Sequence, residues 1–529
     1  MINCNIDGCE FESKYSSKCA LHCDKSDSQI YNKKGLLSDF YNLLIDCISN
    51  ENSKLLEYKK DTTMVIGLKS TISEGLISGG VVNQKNIKKY LGGTNANVEI
   101  KDIVSSCVAN FEKIIFPDRD ERDSCDYFKV LNKMKGVHFD RCVIHFTEID
   151  VQELELFFQD CVFLNDWNIN SYSMLDNINK VIFQDCKFNG NVSAYVTETS
   201  TKRLIINTQL FNDCSFSKQV SFIRIEFEES IYKNDEDYEQ NLNQLVIENC
   251  KFTGRFLLNK SNINRLLIKN SEFYEKFELK ENVIEDIELI NVNYKKLFDA
   301  YDTKFKQFKI SRSIFDDFTG FEKCEFGKEN DVNGKVTEFE YATFLHFANF
   351  RKAKFYNGLD FEHTNLKEPL NFLGAEINDK KTNRETYRIL KHSFDKIGNQ
   401  IEANKYFSLE MKKYKEELKE SSSKSELFIY RVNEKISNFG ASYLKPAFLM
   451  LASAFIYYLL VKGYECNLLY IFIEPGNGFI NEVNLFAKGI PPYGKLLKEG
   501  MEFITLMFHL FFLTCTWQFI VAVKRRTKR

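Results

Sequence analysis

A six-residue phrase recurs along this chain: an aliphatic or aromatic residue, any residue, Asp or Asn, Cys or Ser, any residue, and Phe. Its copies are FQDCVF at Phe158–Phe163, FQDCKF at Phe183–Phe188, FNDCSF at Phe211–Phe216, IENCKF at Ile247–Phe252 and IKNSEF at Ile268–Phe273, with a looser copy, ISRSIF, at Ile310–Phe315. A repeat of this kind buries its apolar residue only when each copy stacks on the next. The sequence therefore predicts a solenoid for most of the chain, rather than a domain built around a pocket.

The spacing of the large residues indicates the length of one coil. Phe252, Phe273, Tyr294 and Phe315 follow one another at intervals of 21 residues, which suits a coil of about 20 residues with one insertion. Farther along, large residues recur mostly every five or six positions, at Phe344, Phe350, Phe355, Phe361, Leu366, Phe372 and Ile377.

A small residue stands two positions before most of these large ones. The small residues are Ala342, Ala348, Ala353, Thr364 and Ala375 in the later run, and Cys161, Cys186, Cys214, Cys250, Ser271, Ser313 and Cys324 before it. Residues two apart in an extended chain face the same side, so both members of a pair point inward. One large and one small side chain together fill a narrow interior without voids.

This pattern resembles that of the pentapeptide-repeat family, whose quintets centre on Leu or Phe with Ala, Cys or Ser two residues earlier. The resemblance covers residues 105–378 and is most specific from Ala342 to Ile377. It implies a mainly β fold, a right-handed, four-sided parallel β-helix of pentapeptide repeats. Because neighbouring strands lie about 4.8 Å apart, about ten coils would form a rod on the order of 50 Å long.

Two other β folds fit the sequence less well. An ordinary Phe-rich β-sandwich disagrees with the five-residue phasing and with 48 Phe against 6 Pro. A β-helix enzyme of the pectate-lyase type would need clustered carboxylates or basic residues in a motif, and we find none. We also find no Gly-rich phosphate loop, nucleophile–base pair or catalytic metal spacing, so we expect a protein that is not an enzyme.

Charge and cysteine usage limit the partners and the compartment. Residues 161–377 carry 27 Lys and Arg against 34 Asp and Glu, a mild, scattered excess that does not provide the dense negative surface of a DNA mimic. The net charge of −3 does not attract nucleic acid either. Many of the 15 Cys are the small inward residue of the repeat, where Cys acts as a small buried hydrophobe. We therefore expect a reducing compartment, and residues 1–30 lack the apolar segment of a signal peptide.

Five metal-ligand side chains lie within residues 1–30. Cys4 and Cys9 form one close pair, and Cys19 forms a second with either His22 or Cys23. Two such pairs on short loops can close a tetrahedral, structural zinc site, and a segment this small needs a staple to fold. The alternative is a flexible tail with free thiols, since Cys4 and Cys9 are farther apart than in CxxC. Four protein ligands would leave no open position for catalysis.

The segments that flank the repeat have helical patterns. Residues 31–104 begin with a predicted amphipathic helix at Leu36–Ile48 and continue as a connecting region that we leave unassigned. After the repeat, residues 383–420 predict a helical hairpin that turns at Gly398-Asn399 and resembles a single tetratricopeptide-like unit. The hairpin caps the open end of the β-helix or, alternatively, docks a partner. A polar linker is predicted at 421–438.

Two apolar segments near the C-terminus are long enough to cross a bilayer. They are predicted as transmembrane helices at 439–462 and 503–523, joined by an extracytoplasmic or re-entrant loop at 463–502. The basic tail at 524–529, together with basic residues before the first span, places both termini in the cytoplasm. Buried core helices of a soluble domain are the alternative.

The stretch Trp517–Arg529 resembles the end of membrane-anchored pentapeptide-repeat proteins of bacteria. This implies a multi-pass protein of the bacterial inner membrane, with the lipid bilayer as one partner and no nucleic acid. We expect the β-helix to present an interaction surface to an unknown cytoplasmic protein. The alternative is a homo-oligomeric pore, an effector in stress or phage defence gated by the β-helix, in which His509 and Gln518 face the pore instead of packing between helices. No TVGYG-like potassium filter is present.

Overall fold

The computed structural model describes residues 3–7, 9–26, 35–56, 108–118, 128–131, 134–149, 155–169, 181–197, 203–233, 240–331, 333–420, 424–466, 478–488 and 497–527. The connecting region predicted at 60–104 lies outside these residues, as do parts of the loop predicted at 463–502. The chain forms two units. The first contains Met1–Asn357, His363–Glu368 and Leu373–Glu376, and the second contains Gly358–Glu362, Pro369–Phe372 and Ile377–Arg529.

Short parallel strands are stacked coil upon coil into a solenoid of about ten turns. The first sheet contains Val108–Glu112, Gly136–Asp140, Glu155–Gln159, Phe183–Gln184, Phe211–Asn212 and Tyr232–Lys233. The largest sheet contains Ile115–Phe116, Val143–Ile144, Val162–Phe163, Trp167–Asn168, Lys187–Phe188, Val192–Tyr195, Ser215–Ile223, Gln240–Glu248, Ser261–Lys269, Val283–Ile290, Lys304–Ser311, Glu325–Phe326, Thr337–Glu340 and Lys354–Phe355. The third sheet contains Leu204–Ile206, Ile225–Phe227, Lys251–Phe252, Glu272–Phe273, Asn293–Tyr294, Ile314–Phe315, Thr343–Phe344 and Asn365–Leu366. The fourth contains Phe256–Leu257, Phe277–Glu278, Phe298–Asp299, Thr319–Gly320 and Ala348–Asn349, and two more short strands, Leu359–Asp360 and Glu376–Ile377, lie in the last coil.

Large side chains at equivalent positions of successive coils form ladders through the interior. In the third sheet, Phe252 pairs with Phe273, Phe273 with Tyr294 and Tyr294 with Phe315, which is the predicted interval of 21 residues. The rings of Phe252 and Phe273 stack with centroids 4.5 Å apart and an interplanar angle of 12°. All four side chains are at most 1% exposed, so the ladder fills the interior.

Most of the predicted pairs of one small and one large side chain are buried together. The predicted residues of the later run that are at most 1% exposed are Ala342, Phe344, Ala348, Phe350, Ala353, Phe355, Phe361 and Phe372. Thr364, Leu366 and Ile377, which were also predicted to point inward, are only half-buried. Cys161 with Phe163 and Cys186 with Phe188 are equally buried in the earlier coils. The interpretation as a two-layer β-sandwich is therefore wrong, and the parallel β-solenoid is confirmed.

The Asp or Asn of the six-residue phrase makes the corner between two strands. Asp160, Asp185, Asp213, Asn249 and Asn270 have positive φ values between 48° and 54°. This left-handed conformation is disfavoured for most side chains, and Asn and Asp adopt it more readily than other non-glycine residues. The requirement for a left-handed corner explains why this position of the repeat is so often acidic or amide.

The small Cys of the phrase also bonds to the corner. The thiol of Cys161 is positioned to donate to the carbonyl oxygen of Gln159 in its own coil, at 3.2 Å, and to that of Phe139 in the preceding coil, at 3.3 Å. Cys186 and Cys214 repeat this arrangement, and Ser271 donates to Lys269 at 2.7 Å. The role predicted for Cys, that of a small hydrophobe, was therefore incomplete, because its thiol also serves as a weak donor to backbone carbonyl oxygens.

The N-terminal helix α1, Leu36–Leu56, belongs to the first unit and packs beside the first coil. The ring of Phe40 contacts that of Phe116 edge to face, with centroids 5.9 Å apart. The predicted amphipathic helix at Leu36–Ile48 thus lies within α1, and its buried face covers the beginning of the solenoid. A four-residue helix, α2, follows at Phe128–Leu131.

The second unit contains six helices among its described residues. They are α3 (Arg384–Lys396), α4 (Gln400–Glu420), α5 (Lys424–Ser437), α6 (Leu444–Glu465), α7 (Gly478–Lys488) and α8 (Glu502–Thr527). Helices α3 and α4 form the hairpin expected at 383–420. The linker predicted at 421–438 is wrong for most of its length, because α5 occupies it. Helix α4 ends at Glu420 and α5 begins at Lys424.

The last coil receives hydrogen bonds from α3 and the turn before it, all within the second unit. The backbone N–H of Leu359 donates to the hydroxyl of Thr382 at 3.1 Å, and that of Phe361 to Thr386 at 2.8 Å. The N–H of Leu370 donates to Ser393 at 3.3 Å. Hydroxyl groups thus accept the hydrogen bonds that a further strand would otherwise accept. These backbone N–H groups are therefore not free to pair with another strand.

Helices α6 and α8 are long and apolar enough to cross a membrane. Their mean hydropathy is 1.8 in each case, and only 11% and 17% of their most apolar 18-residue windows are buried in the protein. The two helices contact each other, with the hydroxyl groups of Tyr457 and Thr505 3.2 Å apart. The predicted fold class is thereby confirmed as a parallel β-solenoid followed by helices, two of them long and apolar.

We predict that the left-handed corner at Asp185 tolerates glycine and rejects a β-branched residue. Asp185→Val should lower the free energy of unfolding by about 1–2 kcal/mol, because Val is strained at this φ. Asp185→Gly, the matched control, keeps the backbone hydrogen bond to Asn212 and should cost less. Denaturant titration of the detergent-solubilised protein, followed by far-UV circular dichroism, checks both. Equal stability of the two variants would contradict the corner explanation.

Candidate metal centre

The N-terminal segment folds into two short loops that carry the metal-ligand side chains. The first loop is closed by antiparallel bridges between Asn3 and Glu12 and between Tyr15 and Lys18. A turn in which the N–H of Cys9 donates to the carbonyl of Ile6 places Cys4 and Cys9 on this loop. The second loop is a helical turn that begins at Cys19. The carbonyl oxygen of Cys19 accepts from the N–H groups of His22 and Cys23, the two candidates for the fourth ligand.

The structure brings Cys4, Cys9, Cys19 and His22 together. Their ligand atoms all lie within 4.8 Å of one another. The sulfurs of Cys9 and Cys19 are 3.7 Å apart, and His22 Nδ1 lies 3.5 Å from the sulfur of Cys4 and 3.2 Å from that of Cys19. Tetrahedral bonds of about 2.3 Å to sulfur and about 2.0 Å to nitrogen would separate two sulfurs by about 3.8 Å and sulfur from nitrogen by about 3.5 Å. The cluster can therefore hold one metal ion with four protein ligands.

Cys23, predicted as an alternative to His22, is not part of this cluster. Its thiol is directed to the carbonyl oxygen of Ala20, at 3.7 Å. His22 and Cys23 are neighbours on the same helical turn, so their side chains leave it in directions about 100° apart, and only one can face the loop of Cys4. The geometry selects His22.

The electrostatics of the cluster suit a cation. Burial, together with Lys25, Lys18 and Lys113, lowers the pKa of His22 to about 4, so its imidazole is neutral near pH 7 and offers a lone pair. Burial raises the pKa of Cys9 to about 12 and also raises that of Cys19. These thiols therefore keep their protons unless a cation compensates the thiolate, as a divalent metal ion does.

Lys25 is a buried cation beside the cluster that the sequence pattern did not single out. It is 1% exposed, and its Nζ donates to the carbonyl oxygens of Leu21 and Cys23, at 3.0 and 3.1 Å. The ammonium also lies 4.8 Å from the ring centre of Phe40. Three thiolates and one divalent ion carry a net charge of −1, which this ammonium would offset.

The cluster is attached to the solenoid through its second loop. The carbonyl oxygen of Leu21 accepts from the N–H of Ile115 at 2.9 Å, in the first strand of the largest sheet. The hydroxyl of Tyr15 donates to Asp39 of α1, also at 2.9 Å. The metal-ligand loops therefore hold the first coil and α1 together, which is a structural role.

The polar residues singled out in the second apolar segment have partners within the chain. The side-chain oxygen of Gln518 accepts from the hydroxyl of Ser437 at 2.8 Å. The ring of His509 lies 6.5 Å from that of Tyr457 on α6. Both positions therefore contribute to packing among the helices.

Comparisons with protein-family models, with curated proteins and with solved structures found no match to this chain. The fold and the cluster described above consequently stand on the chain's own sequence and geometry.

We predict that the purified protein binds one metal ion per chain through His22 and not through Cys23. Cys19→Ser and His22→Ala should each remove the metal, because three ligands hold it far more weakly than four. Cys23→Ser, the matched control, should leave it in place. Elemental analysis after gel filtration measures the content and identifies the ion. Metal lost equally from the Cys23 and Cys19 variants, or absent from the wild-type protein, would contradict the assignment.

Proposed function

We propose that this chain is a membrane-anchored, non-enzymatic β-helix protein whose solenoid presents an interaction surface to a cytoplasmic protein. The proposal extends to a bacterial inner-membrane location, with both termini in the cytoplasm, and to membership of the pentapeptide-repeat class. The paired small and large inward residues and the basic C-terminal tail support it. The observation that carries it is the apolar, uncovered surface of α6 and α8.

That surface is large for a protein in water. Phe448 is 72% exposed, Leu451 73% and Phe455 62%, all on α6. Contiguous apolar surface of this kind is covered by lipid or by another protein, and each span is long enough for the bilayer core. A bilayer is the covering that fits two adjacent apolar helices followed by a cluster of basic residues.

The largest sheet supplies the surface for a partner. Its four longest consecutive strands after residue 239, Gln240–Glu248, Ser261–Lys269, Val283–Ile290 and Lys304–Ser311, pair in register. Polar side chains form rows across them, such as Asn243 with Asn264 at 2.9 Å. Ordered rows of this kind give a flat, regular face of polar side chains, which suits protein recognition.

An anchor is favoured over a pore by the contacts of the polar groups. Gln518 accepts from Ser437, and Tyr457 and Thr505 share a hydrogen bond. These groups are engaged between helices of one chain, whereas a pore lining needs polar groups directed at water.

The metal cluster enters the proposal as a structural zinc site, because three sulfurs and one imidazole in a closed, tetrahedral arrangement are the ligands of structural zinc.

We predict that a charge on the exposed face of α6 impairs membrane insertion. Leu451→Arg should lower the inserted fraction, because Arg in the middle of a span costs about 2.5–3.5 kcal/mol on the insertion scale. Leu373→Arg, at a residue of the solenoid that is 46% exposed, is the matched control and should have no effect. Resistance to alkaline carbonate extraction measures insertion. Wild-type protein released by carbonate would refute the anchor, and stepwise conductance in planar bilayers would favour the pore.

We predict that the flat face, and not the third sheet, contacts the partner. A photo-crosslinking amino acid placed at Asn264 in living cells should give a discrete adduct of higher mass. The same amino acid at Tyr274, which is 39% exposed beside the third sheet, is the control and should give none. Adducts of equal yield at both positions, or at neither, would reject the flat face as the binding surface.

A further inference from the structure

An open cavity of about 340 Å³ lies where α4, α5 and α8 meet in the second unit. Its walls combine apolar side chains with a few polar ones, and the residues that matter here are Phe407, Ile429, Asn433, Trp517, Gln518 and Arg525. Helix α8 is far along the chain from α4 and α5, which are consecutive. The cavity therefore exists only in the folded unit.

Arg525 gives the cavity its charge. Its guanidinium is half-buried, donates to the backbone carbonyl of Phe439 at 2.6 Å and lies 4.4 Å from the ring centre of Phe407. Among the described residues, no carboxylate lies within ion-pairing distance of it. A guanidinium has five N–H donors, so most of them are available to an anion, and a desolvated cation gains most from one that bonds in a bidentate way.

The rim of the cavity is apolar and exposed. Trp517 is 66% exposed and Ile429 is 61% exposed. Trp517 precedes Arg525 by eight residues on α8, a distance of about 12 Å along the helix. A ligand that reaches from the guanidinium to this rim therefore has an anionic end and an apolar end.

Helix α5 also combines exposed apolar side chains with basic ones. Phe428 and Val432 are exposed next to Ile429, being 67% and 38% exposed, and Lys424, Arg431 and Lys435 are exposed on one flank of this apolar stripe. A helix with an apolar stripe and basic flank lies in the interface of an anionic bilayer. The cavity thus opens at the level where lipid headgroups would be.

We propose that this cavity binds an anionic phospholipid, with the phosphate on Arg525 and the acyl chains over Ile429 and Trp517. The proposal rests on the membrane attachment proposed above. Basic pockets at the cytoplasmic end of membrane helices are suited to such headgroups. The ligand required is a phosphate diester that carries hydrocarbon chains and a net negative charge. A free anion lacks the chains, and the quaternary ammonium of a zwitterionic lipid meets no carboxylate among the residues that line the cavity.

Tryptophan fluorescence of the full-length protein in detergent tests the proposal. The chain has two Trp, and Trp167 is fully buried in the solenoid, so a ligand at the cavity changes the emission of Trp517 alone. Short-chain phosphatidylglycerol should produce a saturable change, and phosphatidylcholine and inorganic phosphate should bind at least tenfold more weakly. Equal effects of phosphatidylcholine would overturn the proposal. Equal binding of inorganic phosphate would overturn it as well, because it would show a site for a free anion.

Two neighbouring arginines provide a matched pair of variants. Arg525→Gln should weaken phosphatidylglycerol binding at least tenfold. Arg526→Gln removes the same charge from a side chain that lies over Tyr443, 5.1 Å from its ring centre, and should change binding less than twofold. Equal losses in the two variants would overturn the cavity in favour of general charge attraction.

A second variant keeps the test valid if Arg525→Gln does not fold. Ile429→Phe leaves Arg525 unchanged but narrows the cavity at an exposed position, and it should weaken binding severalfold. Unchanged binding by Ile429→Phe would overturn the proposal. Flotation with liposomes separates this outcome from failure of the anchor, because Arg525→Gln should still float. If the wild-type protein did not float, the proposed membrane anchor would be rejected. The titration in detergent would still test whether the cavity binds the phospholipid.

Discussion

The stacking of equivalent side chains at the distance between neighbouring strands is the constraint on which the solenoid depends. Parallel strands repeat at about 4.8 Å, and phenyl rings attract one another in offset stacks at centroid distances from about 4.5 Å. The rings of Phe163 and Phe188 lie 4.4 Å apart, and those of Phe326 and Phe355 lie 4.7 Å apart. A Phe on one coil therefore meets a Phe on the next at a favourable distance without any adjustment of the backbone.

This constraint explains which parts of the fold could be predicted from the sequence. The inward pairs depend on the two-residue alternation of extended chain, which is local, so Cys161 with Phe163 and Ala342 with Phe344 were identifiable. The Asp or Asn between strands was visible as a repeat, but its reason is a left-handed φ that only the corner geometry shows. Helix α5 was missed because the polar residues around 421–425 dominated the composition, whereas its contacts are with α4, as in the ion pair of Lys415 with Glu434.

The two candidate sites were predictable to different extents, because one is built from residues close together in the sequence and the other is not. The metal ligands lie within twenty residues of one another, so spacing identified Cys4, Cys9 and Cys19, and only the direction of one helical turn was needed to select His22 over Cys23. Arg525 was visible only as one charge in a basic tail. Its cavity requires α4, α5 and α8 to meet, and such contacts between distant segments leave no periodic signal in the sequence.

A parallel solenoid has two open ends, and each presents backbone groups that another chain could pair with. At the first coil, the N–H of Ile115 donates to Leu21, which lies between the metal ligands Cys19 and His22. At the last coil, the hydroxyl groups of Thr386 and Ser393 on α3 accept instead. The first arrangement involves the loop of the candidate metal cluster, whose shape we expect a bound ion to stabilise. The second depends only on a helix with side-chain acceptors on its buried face. We therefore expect the beginning of the solenoid to be the end whose protection from strand pairing varies with metal supply.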